Sequence, residues 1–499
     1  MATTTTPATQ RRRPGVSSDH RHYKWWALSC TSLGMLMATI NSGTLIIALP
    51  TLETSLHTSL LQLVWVILAY MIASTVLVLT AGRLSDLFGR KLAFAAGFAV
   101  FALASLGAGF AGDGTQLILW RVLQGVGGAF LFANAAAIVT DAFPTAQLGV
   151  AMGTNVMVAA VGLVLGPVLG GALVSISWQW VFWFNVPIGI AGAVWALVVL
   201  RDTSGRDAVR GLDPLGTLSF LVGFTGLVLA ISRGGLSGWN DAVVIAGFAA
   251  ALVLLPLFVY IEAHQRAPML DLSLFRDRLF AAASGAAFLN GLSRFALMFI
   301  FVFYFQGAQG DSALTAGLKL TPLAVGMLIA SPIAGMIADR HGSRALAALG
   351  MAVSAAALVA MTTLAVTTPF WQSGLWLFVV GCGSGMFNSP NTAAMMGAVR
   401  PNRRGIAAGA RLLVQNAGAV ISIAFVMSVV TAAIPTPVLF KIFSGLAQGL
   451  TAAQLAPFIG NMHLALWILA AVSLVGAVVS MLRPSHVAKL AVVGAPAAQ

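Results

Sequence analysis

Along nearly the whole chain, apolar residues fall in unbroken runs separated by short polar turns; they neither alternate nor form a single helical stripe. A helix crosses the hydrocarbon of a bilayer with about 20 apolar residues, and a backbone in lipid must satisfy its own hydrogen bonds. The pattern therefore predicts a bundle of about fourteen spanning helices, beginning near Trp25, Leu60, Leu92, Gln116, Gly149, Gln179, Pro214, Asp241, Phe280, Leu314, Ala345, Phe370, Gly405 and Met462. The stretch from Pro437 to Gly460 is apolar but interrupted by Lys441 and glycines, and reads as an outer loop or an interfacial helix.

Composition agrees: 59% of the 499 residues are hydrophobic and 8% charged, and the mean hydropathy is +0.93. This is the profile of an integral membrane protein, and the inner or plasma membrane is its expected place. The net charge of +13 could point to nucleic acid, but its placement argues otherwise. With the N-terminus inside, 21 of the 27 Lys and Arg fall on the tails or on even-to-odd loops, among them Arg83, Arg90, Lys91, Arg201, Arg206, Arg210, Arg266, Arg276, Arg278, Arg340, Arg344, Arg400, Arg403 and Arg404. Arg233, Lys319 and Lys441 sit toward the outside. That asymmetry places both termini in the cytoplasm.

Residues 1–24, rich in Thr, Ser and Arg, read as a disordered cytoplasmic tail rather than a transit peptide, and 483–499 as a second tail. Cys30 and Cys382 lie within predicted helices, so neither a disulfide framework nor a metal site is expected. The sequence has no G-x-x-x-x-G-K-[ST] loop and no cluster of His, Cys and carboxylates. No cofactor, metal or catalytic residue is expected, and the chain does not read as an enzyme.

The chain also repeats itself. GRLSDLFGRK after the second span returns as GMIADRHGSR after the tenth, Gly82, Asp86, Gly89 and Lys91 matching Gly335, Asp339, Gly342 and Arg344 at an offset of 253 residues. Gly125 and Gly127 recur as Gly381 and Gly383, and Gly149, Ala151 and Gly153 as Gly405, Ala407 and Gly409, at nearly the same offset. An eight-span offset leaves six helices per repeat and two between: 25–201 as a first bundle, 202–262 as two additional helices and 263–482 as a second bundle. Parallel repeats of this kind belong to secondary transporters that rock about a central site.

GRLSDLFGRK resembles, in full, motif A of the major facilitator superfamily, and the number of spans resembles its fourteen-spanner drug:proton antiporter family. The resemblance covers about residues 25 to 482. It implies the major facilitator fold, with Gly82, Asp86, Gly89, Arg90 and Lys91 as a cytoplasmic latch between the halves. WRVLQGVGG resembles motif B, with Arg121, Gln124 and Gly125 in order; the family assigns this arginine to proton coupling. Snorkelling of Arg121 to the outer surface is the alternative. GLVLGPVLGG resembles motif C, the antiporter signature. Gly162, Gly166 and Gly170 share a face for close helix approach, Gly171 follows, and Pro167 permits a bend. WQWVFWFNVPIG resembles a further family segment, with Gln179 where arginine is usual and tryptophans suited to an interfacial belt.

One position departs from the family. In ATINSGTLIIALP, Asn41 stands where an aspartate is usual, and no carboxylate is expected at mid-membrane. Arg294, deep in the ninth span with Asn290 one turn away, is expensive in lipid unless it faces a wet cavity or a partner. Asn41, Asn290 and Arg294 are therefore the expected cavity residues, with Arg411 nearer the cytoplasmic end.

The resulting expectation is a secondary exporter of hydrophobic or amphipathic small molecules, of the drug or antibiotic efflux type, exchanging them for protons by alternating access. It would act as a monomer in the bilayer without nucleic acid. A lipid or anionic-metabolite exporter is the rival within transport, and a non-transporting membrane sensor the rival outside it.

Overall fold

Acidic residues are scarce, and most of those near helix starts act as caps. In this computed structural model, which describes residues 22–144, 147–201, 213–265, 268, 270–399, 404–432, 434–444 and 450–484, Asp113, Asp213, Asp241 and Asp277 each accept a backbone N–H in the first turn of a long helix. Such a cap satisfies donors the helix cannot satisfy itself. Arg206, Arg210, Arg266, Arg400, Arg403 and most of both expected tails lie outside the described residues.

The helices follow in order. The first two, α1 (Tyr23–Leu56) and α2 (Leu60–Phe88), are joined by a short turn in which Ser59 and Gln62 form a capping box. Gly89, at φ 99°, ends α2 and starts α3 (Arg90–Ala108), a left-handed conformation that costs glycine little. Then come α4 (Gly114–Ala142), α5 (Leu148–Ile176) and α6 (Trp180–Val199). The pair α7 (Pro214–Ser237) and α8 (Ala242–His264) is closed by a two-pronged ion pair, Arg233 Nε and Nη2 each 3.1 Å from an Asp241 oxygen. That guanidinium is the main reason the Asp241 carboxyl lies below the usual carboxylate range. The remaining helices are α9 (Arg278–Ala308), α10 (Ala313–His341), α11 (Ser343–Met361), α12 (Phe370–Gly397), α13 (Arg404–Val430) and α14 (Ala452–Leu482). Gly342, at φ 85°, joins α10 to α11 as Gly89 joins α2 to α3.

Among the described residues, 12 of these helices are long and apolar enough to cross a membrane. The other two, α5 with 29 residues and α12 with 28, exceed the ~20 needed. The carboxamides of α12, Gln372, Asn388 and Asn391, and its glycines lower its hydropathy; Asn388 and Asn391 hydrogen-bond to neighbouring helices.

Packing within α1–α6 has a counterpart eight helices on. In the first set α1 packs on α5, α4 and α6, α2 on α4, and α3 on α4 and α6. In α9–α14, α9 packs on α13, α12 and α14, α10 on α12, and α11 on α12 and α14. Two seams join the sets, α2 against α13 and α5 against α10, and these are counterparts of each other. Helix α7 lies against both α2 and α13, and α8 leans on α7.

Two expectations near the end of the chain need correction. The last helix begins at Ala452 rather than near Met462, because Thr451 and Gln454 form a capping box ahead of it. The stretch before it is not only loop: a short helix, Thr436–Phe443, buries Leu439, Ile442 and Phe443, and Phe443 stacks on Phe303 at 4.1 Å. It packs on the last turn of α9 rather than lying free in an interface.

Candidate functional site: a central cavity between the halves

A cavity of about 60 Å³ lies at the centre, walled by α1, α2, α4, α9, α10 and α13. Its lining is mostly apolar, with Ile46, Ile67, Met71 and Met298, and it includes Tyr70 and two guanidiniums, Arg121 and Arg294. Among the described residues, no carboxylate contributes to the lining. The volume suits about two waters; the conformation is narrow.

Arg121 is 1% exposed, so it does not snorkel. Its Nε donates to the Val66 carbonyl at 2.9 Å, its Nη1 to the Gln124 side chain, and it lies over the Tyr70 ring at 4.4 Å. Gln124 in turn donates to Asn41 Oδ1 at 3.2 Å and Ser105 Oγ at 2.7 Å, and Asn185 donates to the same Asn41 oxygen at 3.4 Å. Gly125 makes this reach possible: a Cβ there would sit 2.6 Å from the Ala73 Cβ and 2.7 Å from the Tyr70 carbonyl. Motif B thus seats α4 close against α2 and holds Arg121 in a satisfied network.

Arg294 is different. It is 9% exposed, hydrogen-bonds to none of the described residues, leaves Nε buried without a partner among them, and stacks on its neighbour Phe295 at 4.4 Å. Asn290 does not join it at the cavity. Its Oδ1 accepts from Asn388 at 3.5 Å, whose own Oδ1 accepts from Gln415 at 3.1 Å, and Gln415 accepts from Arg411 at 3.0 Å. Of the three expected cavity residues, Arg294 alone lines the space; Asn41 and Asn290 turn inward within their own bundles, where buried amides find partners. Tyr70, Ser105, Asn388 and Gln415 were not anticipated, since single polar groups in apolar runs carry no signal until their partners are known.

Motif C makes two close contacts at once. A Cβ on Gly166 would lie 2.8 Å from the Gly43 Cα, and one on Gly170 2.7 Å from the Thr44 backbone, while Gly162 would clash with Thr39 Oγ1. That face joins α5 to α1. On the other side Gly171 meets α10, its Cβ position 2.5 Å from the Leu314 Cα, and Pro167 meets Gly317 across the same seam. At the α2–α3 turn, Arg90 donates to Asp86 at 3.2 and 3.3 Å and also reaches Asp141. Those contacts tie α2, α3 and α4 together inside one bundle, and Asp86 stays 59% exposed. Arg83 donates to the Pro268 carbonyl, ahead of α9. Gly82 has only ordinary space around it, the Ala133 Cβ 3.9 Å from a Cβ there. In the aromatic segment Phe182 and Asn185 are fully buried, while Trp180 is exposed.

Two six-helix sets related by an eight-helix shift, with a cavity between them, are the architecture of a membrane transporter. The sequence profile of the Major Facilitator Superfamily matches residues 31–423, with an overlapping match over 283–496, and the chain belongs to that superfamily. It is 31% identical over 368 residues to the tetracenomycin C resistance and export protein of Streptomyces glaucescens, covering 74% of this chain and 68% of that one. Identity to the multidrug transporter protein MdtP of Bacillus subtilis is 29%, over 74% of this chain and 69% of the relative. The riboflavin transporter RibZ of Clostridioides difficile is 28% identical over 81% and 88% of the two chains. Among solved structures, a bacterial homolog of the human lysosomal transporter Spinster, inward-facing and unoccupied, superposes with a TM-score of 0.64 at 16% identity, over 93% of this chain and 99% of that one.

Proposed function

We propose that this transporter exports hydrophobic or amphipathic small molecules across the inner or plasma membrane in exchange for protons. In this reading the bundles 25–201 and 263–482 rock about the cavity, 202–262 ride with them, and both termini face the cytoplasm. Most Lys and Arg lie on the α2–α3 side, and at the opposite end Arg233 and Lys319 are each paired with an aspartate, at 3.1 and 2.5 Å; the Lys and Arg bias supports that orientation. Two of the relatives named above are export or multidrug proteins by name, which supports efflux.

The observation that carries the substrate class is the unpartnered Arg294 in an apolar cavity without a carboxylate. A lipophilic cation would meet two like charges there and nothing to offset them. Neutral and anionic compounds are therefore the favoured cargo. The same guanidinium favours the second reading, an exporter of anionic metabolites.

Reconstituted vesicles test this. Accumulation of matched cationic, neutral and anionic compounds would be measured with and without an imposed pH gradient. Gradient-driven uptake of the neutral and anionic members supports the proposal. Equal uptake without a gradient removes proton exchange, and preference for a permanent divalent cation removes the charge assignment. Absence of counterflow for every compound would leave a binding protein that transports nothing.

A further inference from the structure

Three carboxylates are buried among the described residues: Glu53, Asp213 and Glu262. Asp213 accepts from the Gly216 N–H at 2.8 Å and from Gln265 at 3.1 Å, and Glu262 from the Leu270 N–H at 3.0 Å. Glu53 accepts from nothing. It is 0% exposed, and neither oxygen has a hydrogen-bond partner.

Its place in the fold makes this consequential. Glu53 lies one turn from the α1–α2 end of α1, flanked by the fully buried Leu49 and Leu52. At this end the two halves are shut against each other: Gln306 of α9 donates to the Ile47 carbonyl of α1 at 3.1 Å, and Gly171 of α5 abuts Leu314 of α10. The helices packed on α1 are α2, α4, α5, α6, α9, α10 and the short helix Thr436–Phe443. Their charged or titratable groups at the cavity or toward this end are Tyr70, Asp113, Arg121, Arg294, Tyr304, Lys319 and Lys441, and the exposed His57 follows α1 itself. Arg121 is held by Val66 and Gln124, Asp113 caps α4, Tyr304 donates to the Ala365 carbonyl, Lys319 pairs with Asp311, and Lys441 is exposed. Tyr70 lies under Arg121. None makes a hydrogen bond or ion pair with Glu53.

We propose that Glu53 is a proton-binding gate: the α1–α2 end closes over the neutral acid and opens when the carboxylate is ionised. Burying an unpaired carboxylate is far costlier than burying the same group protonated, so closure takes up a proton. The step is a plain transfer: hydronium at that mouth gives its proton to a Glu53 oxygen, leaving water, and no electrons move. By linkage, acid on that side favours the closed end. The proposal rests on the alternating transport proposed above, and it supplies a carboxylate that Asn41 cannot.

The test is a distance measurement on the full chain in lipid nanodiscs. Spin labels at Ser175→Cys on α5 and Leu314→Cys on α10 straddle the seam, with Cys30 and Cys382 replaced by alanine. Between about pH 5 and about pH 9 the unmodified Glu53 protein should pass from a short to a long label distance, the ratio changing by up to about tenfold per pH unit. Glu53→Gln should stay short throughout, and Glu53→Asp should keep the step at a displaced midpoint. No step with Glu53 present, an unchanged step in the Gln variant, or an unmoved midpoint in the Asp variant overturns the proposal. The Asp variant and the unmodified protein decide the matter even if the Gln variant fails to fold. Because no transport is read, failure of the gate is separable from failure of proton-driven export: vesicles can lose their gradient dependence while the distances still titrate, and the reverse.

Discussion

Arg121 and Arg294 carry the same charge beside the same cavity, yet their surroundings give them opposite consequences. Arg121 satisfies Val66 and Gln124, so its removal leaves buried groups unpaired at about 1–3 kcal/mol each. Arg121→Ala should lower the melting temperature along with transport. Arg294 hydrogen-bonds to none of the described residues, and its buried Nε is without a partner among them. Arg294→Ala should leave the melting temperature unchanged or raised while cutting anion uptake about tenfold or more, the loss of a hydrogen bond to a charged group being about 1.5–3 kcal/mol. A fall in thermal stability comparable to that of Arg121→Ala would make Arg294 a structural residue. Asn41→Asp should fold, because its Oδ1 only accepts and its Nδ2 has no partner to lose, and uptake assays should show selectivity moved toward cations. Arg294 was legible in the sequence because a charge in lipid must find a reason. The inward turn of Asn41 and Asn290 was not, since runs apolar on every side tell depth in the membrane and say little about which side of the helix faces the cavity. The burial of Glu53 was not legible for a related reason: nearness to a helix end indicates solvent only when nothing closes over that end.

The helices themselves came through best where backbone geometry leaves little choice. Gly89 and Gly342 stand at positive φ in equivalent turns, and the repeated motif around them was visible without any structure. The motif C face was also legible as a packing surface, but its second contact was not: Gly171 lies off the shared face and meets a helix over a hundred positions away in the chain. The contacts sharpen what a substitution should do. At Gly166 the obstacle is the Gly43 backbone, 2.8 Å from a Cβ, which cannot swing aside as a side chain can. Gly166→Ala should therefore already reduce activity, and Gly166→Leu should cost about 1–3 kcal/mol or shift the balance of states. Gly82→Ala, with only an ordinary contact at 3.9 Å, is the control and should be tolerated. Thermal melts beside uptake assays decide between them; equal tolerance at both sites would mean that α1 and α5 part easily. The start of α14 was missed because Lys441 and the glycines masked a capping signal, Thr451 with Gln454, ahead of a weakly patterned run.

For the molecule as a whole, the eight-helix offset read from three glycine patterns runs parallel to the pairing of helices, because close approach between the same partners needs small residues at the same places in each half. Among the described residues, the ion pairs of Arg90 with Asp86 and Asp141 lie within the first bundle, while Arg83 reaches the Pro268 carbonyl ahead of the second. Asp86→Asn should then change the melting temperature little, an exposed pair being worth about 0–1 kcal/mol, yet reduce transport if Asp86 engages the other half in another state. Normal uptake at equal membrane abundance would show that no such state matters. Under the proposed rocking, the pair α7 and α8 would give the motion a preferred side. Helix α7, from outside both sets, touches α2 and α13 together, with Gly235 against Ser428, whereas among the described residues neither α7 nor α8 packs on the α5–α10 seam. Separation on the α7 side would strip a helix from one neighbour or the other. Sliding past Gly235 would not. If the halves rock as proposed, the pair becomes mechanically one-sided, with a pivot where α7 sits and a jaw at α5 and α10, and cargo entering from the bilayer would meet one mouth instead of two.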